Sequence, residues 1–102
     1  MKPEIIISDH AGFRVVRFEI PGGVTTPQEF ASAVADVEKG LPGPLPVLIN
    51  GRGPVWGYGM LIHASHPTPM VATYDPRLAG YVVVATHRGD YVLGQVIPDP
   101  EA

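Results

Sequence analysis

The chain has 102 residues, so a single domain with one hydrophobic core is the expectation. Hydrophobic residues make up 45% of it and charged residues 17%, which is enough apolar material to form a core. There is no cysteine, and this excludes disulfides and thiolate chemistry. The formal net charge of −3 argues against a protein that holds long nucleic acid on a broad basic surface.

The two ends of the sequence carry further expectations. The apolar run before Asp9 is too short for a signal-peptide core or a membrane span, so we expect a cytoplasmic protein without a membrane partner. DNA is not expected as a partner either. One domain is predicted over residues 1–102, with residues 98–102 as a flexible tail because proline and acidic residues dominate there.

The predicted elements begin with a β-hairpin. The segments Glu4–Ile7 and Phe13–Ile20 are rich in Ile, Val and Phe, and the turn-forming residues 8–12 separate them. In the second strand Arg17 and Glu19 alternate with apolar residues, which indicates that one face of this strand is exposed to solvent.

A helix is predicted next. Thr26 is a suitable N-cap, Pro27 occupies the first helical position, and Glu29 completes the pattern of a capping box. The helix should run to about Lys39 and pack on a sheet by its apolar face. The apolar run Pro46–Asn50 then predicts a buried strand.

The second half of the chain predicts one more helix and two or three strands. Pro54 is well placed to begin the helix and Pro67 to end it. Strands are predicted at Met70–Asp75 and Tyr81–His87, and Tyr91–Ile97 could add a short last one.

The segment Asn50-Gly51-Arg52-Gly53 lies between a predicted buried strand and the second helix. Glycines in such a loop let the backbone approach a ligand, free amides at the helix start attract phosphate, and the arginine adds a cation. The alternative is an ordinary turn with a solvated arginine, since neither the dinucleotide-binding glycine pattern nor the P-loop lysine is present.

Two histidines are candidates for acid–base chemistry or metal binding. His66 precedes Pro67, which favours an exposed position at the helix end, whereas His63 is expected to be packed. His87 follows a predicted buried strand and could bind metal or phosphate, although histidines at strand ends often have no catalytic role.

Asp75 and Arg77 flank Pro76 at the end of another predicted strand. Asp75 could bind a hard cation such as manganese or magnesium, and Arg77 could bind a phosphate. The alternative is a turn with a local ion pair. If Met70–Asp75 and Tyr81–His87 pair as a hairpin, Asp75 and His87 lie roughly 20 Å apart at about 3.3 Å per residue, so two chains would be needed to unite them.

Several of these pieces together resemble the CRISPR-associated Csx-three family, the small ring nucleases of type III systems. The matching segments, which cover much of residues 47–97, are Asn50–Trp56, His66 before Pro67, Thr68–Leu78, and Val82–Val84 leading to His87.

The resemblance implies an α+β domain with a ferredoxin-like two-layer arrangement, a mixed sheet and two helices. It also implies a homodimer that binds cyclic tetra-adenylate, becomes a tetramer with the ligand between two dimers, and degrades the ligand with Mn²⁺, with Mg²⁺ as the alternative metal. Carried onto this sequence, the catalytic positions are His66, Asp75 and His87, with Asp75 and His87 also as metal ligands. The implied ligand-binding positions are Asn50, Gly51, Arg52, Gly53 and Arg77.

The leading hypothesis is therefore a ring nuclease that switches off antiviral signalling. Two alternatives stay open: a manganese-dependent exonuclease that removes adenylate from RNA 3′ ends, and a sensor that binds the cyclic nucleotide without cleaving it.

Overall fold

A computed structural model describes residues 1–101. Its strands and α-helices, in chain order, are β1 (Glu4–His10), β2 (Phe13–Glu19), α1 (Pro27–Val37), β3 (Val47–Gly51), α2 (Val55–Ala64), β4 (Met70–Asp75), β5 (Gly80–Thr86) and β6 (Val96–Pro98). Two short 3₁₀ turns flank α1, at Pro21–Gly23 and Glu38–Gly40. Ala102, the end of the predicted tail, lies outside the described residues.

The six strands form one mixed sheet in which strand order follows chain order. The β2, β3 and β4 strands are parallel, and α1 and α2 provide the two crossovers between them. The pairs at both ends of the sheet are antiparallel. The predicted α+β class, with two layers, a mixed sheet and two helices, is confirmed. The domain shares its two-layer arrangement with ferredoxin-like domains, but its sequential strand order differs from their split βαβ order.

The core consists of two clusters, one on each face of the sheet. On the first face, Phe30 of α1 and Leu61 of α2 pack with inward residues of the parallel strands, so both helices cover the same face. The second cluster lies on the opposite face around Leu48 and Tyr81, and Tyr91 from the loop after β5 packs against it. The parallel strands are therefore covered on both faces, which explains why β3 is almost entirely apolar.

Local sequence signals account well for the start of the first helix. The Thr26 hydroxyl accepts a hydrogen bond from the Glu29 backbone amide (3.1 Å), and the Glu29 carboxylate accepts one from the Thr26 amide (3.0 Å). This is the predicted capping box, worth about 1 kcal/mol to the stability of the helix.

The first turn and the last strand differ from the prediction. The first hairpin turns over only two residues, Ala11 and Gly12, whose φ angles of 52° and 84° suit a two-residue loop between twisted strands. Residues 8–10, predicted as turn, instead extend β1. The last strand covers only Val96–Pro98 because the chain first loops out beyond β5.

No helix among residues 1–101 combines the length and the apolar character needed to cross a membrane.

Candidate functional site

The predicted site residues lie at two opposite ends of the sheet. Asp75, Arg77 and the loop of residues 50–53 lie at the carboxyl ends of the neighbouring parallel strands β4 and β3, and we call this group the carboxylate pole. His66 and His87 lie at the start of β4 and the end of β5, and we call this pair the histidine pole.

The separation of the two poles follows from the β4–β5 pairing. Asp75 is opposite Gly80, whereas the His87 amide donates to the carbonyl of Pro69, six residues before Asp75. At about 3.3 Å per strand residue, Asp75 and His87 are roughly 20 Å apart. The predicted hairpin is confirmed, and one chain does not bring its predicted metal ligands together.

Asp75 and Arg77 form a closed ion pair in the carboxylate pole. The Arg77 Nη2 donates to Asp75 Oδ2 (2.9 Å), and the Arg77 Nε and backbone N–H both donate to Oδ1 (3.2 and 2.9 Å). Hydrogen bonds from the Arg77 side chain hold the pKa of Asp75 below its usual range. Asp75 is therefore an ionised carboxylate whose two oxygens are both engaged, and the turn with a local ion pair is what the chain adopts at rest.

The glycines of the 50–53 loop have a packing role. A β-carbon at Gly51 would lie 2.5 Å from the Phe18 ring, and one at Gly53 would lie 2.6 Å from it. Real β-carbons do not approach that closely, so glycine is needed at both positions to seat the loop on the core. Arg52 between them is exposed and makes no ion pair within residues 1–101, so it is free to meet an anion.

Two tyrosines that the sequence did not single out fix this loop. The Tyr58 hydroxyl donates to the Gly51 carbonyl and accepts from the Gly51 amide (3.1 Å). The buried Tyr81 hydroxyl accepts from Asn50 Nδ2 (3.1 Å). Burial raises the pKa of both phenols, so both remain neutral hydrogen-bonding groups at physiological pH. In the sequence both tyrosines belong to apolar stretches that predict the second helix and β5, and nothing there indicates a polar role.

The histidine pole consists of two exposed imidazoles in direct contact. His87 Nε2 and His66 Nδ1 are 3.2 Å apart, and the ring centroids are separated by 5.0 Å. A hydrogen bond between two imidazoles needs an N–H on one ring and a lone pair on the other. The pair can thus present one proton acceptor and one proton donor, as acid–base chemistry requires. His63, expected to be packed, is exposed instead.

A metal site is not complete in one chain. No group of three or more His, Cys, Asp or Glu side chains close enough to hold a metal ion occurs among the described residues. Asp75 offers oxygen at one pole and the histidines offer nitrogen at the other, roughly 20 Å away. Carboxylate oxygen and imidazole nitrogen are both common ligands of divalent metal ions, but these donors would have to come from two chains.

The fold and these two poles define a small α+β domain whose charged and acid–base groups lie at opposite ends of one sheet. The model of a family described as "CRISPR-associated protein (Cas_csx3)" matches residues 34–98, more than half of the chain. The chain belongs to this CRISPR-associated family. The matched region contains both poles and ends with β6.

A relative from Aquifex aeolicus (strain VF5), described as an uncharacterized protein, is 49% identical over 51 residues. The match covers 50% of this chain and 46% of that relative, so the similarity spans about half the length of each.

Proposed function

We propose that this CRISPR-associated protein is a ring nuclease that binds cyclic tetra-adenylate and cleaves it, and that it works as an assembly of at least two chains. The observation that carries the proposal is the division of the candidate residues into two poles with complementary chemistry. One pole offers cations and a carboxylate for a phosphodiester, and the other offers a pair of imidazoles for proton transfer.

A composite site follows if the carboxylate pole of one subunit faces the histidine pole of another. A cyclic tetranucleotide carries four equivalent phosphodiesters, and its symmetry suits a site built from repeated copies of one chain. Bound ligand would link the chains, so the dimer is expected to become a tetramer when cyclic tetra-adenylate is added.

The proposed reaction is an internal phosphoryl transfer. The 2′-oxygen of one adenosine attacks the neighbouring phosphorus, the bond from phosphorus to the 5′-oxygen breaks, and a 2′,3′-cyclic phosphate and a 5′-hydroxyl result. One imidazole of the His66–His87 pair takes the proton from the 2′-hydroxyl, and the other gives a proton to the leaving 5′-oxygen. Arg52 and Arg77 stabilise the charge that develops on the phosphorane.

The Asp75–Arg77 ion pair gives this proposal a coupled step. The Arg77 side chain is 87% exposed, so it can swing from Asp75 to a phosphate with little change in packing. That movement frees the Asp75 oxygens, which at rest accept from Arg77. Phosphate binding and release of Asp75 are thus two parts of one event.

Manganese dependence belongs to the proposal as well. Asp75 of one subunit would hold the ion, which would supply positive charge next to the scissile phosphate. His87 of another subunit would be a second ligand only where it transfers no proton, because its one nitrogen not engaged with His66 cannot do both.

The test is turnover of cyclic tetra-adenylate by the wild type with Mn²⁺, and its loss in Asp75→Ala and in His66→Ala. Linear tetra-adenylate, offered beside the ring, separates a ring nuclease from a 3′ exonuclease. The same assay with a metal chelator tests whether cleavage depends on Mn²⁺. Unchanged cleavage in both variants would overturn the assignment, and tight binding without turnover would identify a sensor.

A further inference from the structure

A groove of about 880 Å³ extends from the 50–53 loop across the exposed side of β1 and β2. Its volume is ample for a nucleotide, since small-molecule sites usually occupy about 300–1,000 Å³. None of the residues of β1 or β2 that line it belongs to either pole. Its lining includes Glu4, Ile6, Arg17, Glu19, Arg52 and Trp56.

Arg17 supplies a cation to the lining of the groove. It lies on β2 directly beside Asn50 of β3, in the parallel register of the two strands. Arg52 also lines the groove and is shared with the carboxylate pole. A phosphate at Arg17 can accept two parallel N–H bonds from one guanidinium, the geometry in which arginine binds phosphate best.

Two carboxylates line the groove together with Arg17. Glu4 and Glu19 are direct cross-strand partners, an unfavourable arrangement for two like charges. Neither one forms an ion pair or hydrogen bond within residues 1–101 that would offset the repulsion. Free carboxylates beside a phosphate-binding cation suit a ligand that also donates hydroxyl hydrogens, as a ribose does.

The remaining walls are apolar and include one aromatic ring. Ile6 is 62% exposed, and Trp56 is 38% exposed with its ring nearly perpendicular to that of Phe30 (centroids 5.8 Å apart, interplanar angle 87°). An exposed aromatic ring can stack on a base. The groove thus offers separate partners for phosphate, ribose and base.

We propose that this groove binds one ribonucleotide unit, with its phosphate on Arg17, its ribose hydroxyls on Glu4 and Glu19, and its base against Trp56. The site shares the 50–53 loop with the carboxylate pole, and the choice of an adenine nucleotide as its ligand rests on the proposed function. A nucleotide bound here would place the next phosphate of an RNA-like ligand near Arg52 and the carboxylate pole.

Glu101 competes with this ligand for Arg17. The Arg17 Nη2 donates to Glu101 Oε1 (2.9 Å), while Glu101 Oε2 is 3.9 Å from His10 Nε2. A carboxylate at these groups imitates the anionic oxygens of a phosphate, so the incoming phosphate has to displace it.

The experiment uses adenosine 5′-monophosphate as the probe and Trp56 as the reporter. Trp56 is the single tryptophan of the chain, so saturable quenching of tryptophan fluorescence reports on this groove. Equilibrium dialysis gives the same constant without optical interference. The titration needs no metal and no turnover.

Three variants should move the affinity in different directions. Arg17→Ala should weaken binding about tenfold, the effect of one lost charge-assisted hydrogen bond. Glu101→Gln should strengthen it, by about fivefold at most, because a surface ion pair no longer competes. Glu19→Ala should reduce the preference for adenosine 5′-monophosphate over its 2′-deoxy form.

Arg88→Ala is the matched control because Arg88 is also an ion-paired surface arginine, but its partner Asp90 lies in the loop beyond β5. It should bind the probe as wild type does. Equal loss in Arg88→Ala and Arg17→Ala, or a wild type without saturable binding, would overturn the inference. Turnover of cyclic tetra-adenylate without probe binding would refute the groove alone, and probe binding without turnover would refute the nuclease alone.

Discussion

The separation of Asp75 from the histidine pole predicts that two inactive variants rescue each other. His66→Ala should lose about 10²–10⁴-fold in the rate of cleavage of cyclic tetra-adenylate, the usual effect of a lost acid–base group. Asp75→Ala should lose most of its activity because it removes the proposed metal ligand. Because the two positions are roughly 20 Å apart in one chain, each active site would take them from different subunits. An equal mixture of the two variants should therefore regain activity.

The expected size of the rescue follows from the fraction of composite sites in which both poles are intact. In the mixture, half of the carboxylate poles and half of the histidine poles are wild type. If subunits pair at random, about one quarter of the composite sites have both poles intact, and the mixture should show about one quarter of the wild-type rate. The assay is chromatographic measurement of product after the two chains have been co-refolded, with native mass spectrometry to verify subunit exchange.

A same-pole mixture is the matched control. Asp75→Ala with Arg77→Ala should show no rescue, because every carboxylate pole then contains one of the two substitutions. Background activity in the Asp75→Ala and His66→Ala mixture, with exchange verified and an active wild type, would refute the composite site. Rescue in the control would show that Asp75 and Arg77 do not act from the same subunit.

Three further predictions follow from individual contacts. Arg77→Gln should raise the pKa of Asp75 toward its usual value, measured by carboxyl-carbon NMR titration. In the wild type the ion pair stabilises the fold above the ordinary pKa of 3.8, and this stabilisation is lost as the pH falls through the lowered pKa of Asp75. An unchanged pKa in the variant would contradict Arg77 as the cause of the shift. Gly57→Ala should lower the free energy of unfolding by about 1–3 kcal/mol, because its β-carbon would lie 2.8 Å from a core phenylalanine ring. Gly59→Ala, with open space around it in the same helix, should raise the free energy of unfolding by about 0.5–1 kcal/mol. Equal effects of the two substitutions in urea denaturation would disprove the packing argument. Tyr58→Phe should lower the free energy of unfolding by about 1 kcal/mol, because it removes both hydrogen bonds to the 50–53 loop. Unchanged stability would show that these hydrogen bonds are not needed to fix the loop.

Tertiary packing changes the meaning of the glycine loop. The sequence places Gly51 and Gly53 at a turn between a strand and a helix, which fits both ligand binding and simple chain reversal. The reason that the structure gives is Phe18, whose ring fills the space a side chain would need. Phe18 is more than 30 residues away in the chain, and no local pattern can report such a contact. The ligand role of the two glycines remains a prediction.

The positions of Arg17 and Tyr81 also depend on contacts that no local sequence pattern can report. Alternation along β2 marks Arg17 as solvent-facing, which is correct, but its position beside Asn50 depends on the parallel register of β2 and β3. Tyr81 belongs to an apolar run and lacks any sign of a polar role until Asn50 donates to its hydroxyl. Register between strands that are distant in sequence is set by packing of the whole sheet.

The sequence by itself determined the parts of this protein that depend on near neighbours. Those parts are the capping box at Thr26, the two helices, most strand positions, and the distance between Asp75 and His87, since hydrogen bonds and strand rise act over a few residues. Only the tertiary structure decided the sequential strand order, the contact between His66 and His87, and the groove beside Arg17. These features depend on side chains that meet across the sheet, where burial of the two core clusters, and not local preference, selects the arrangement.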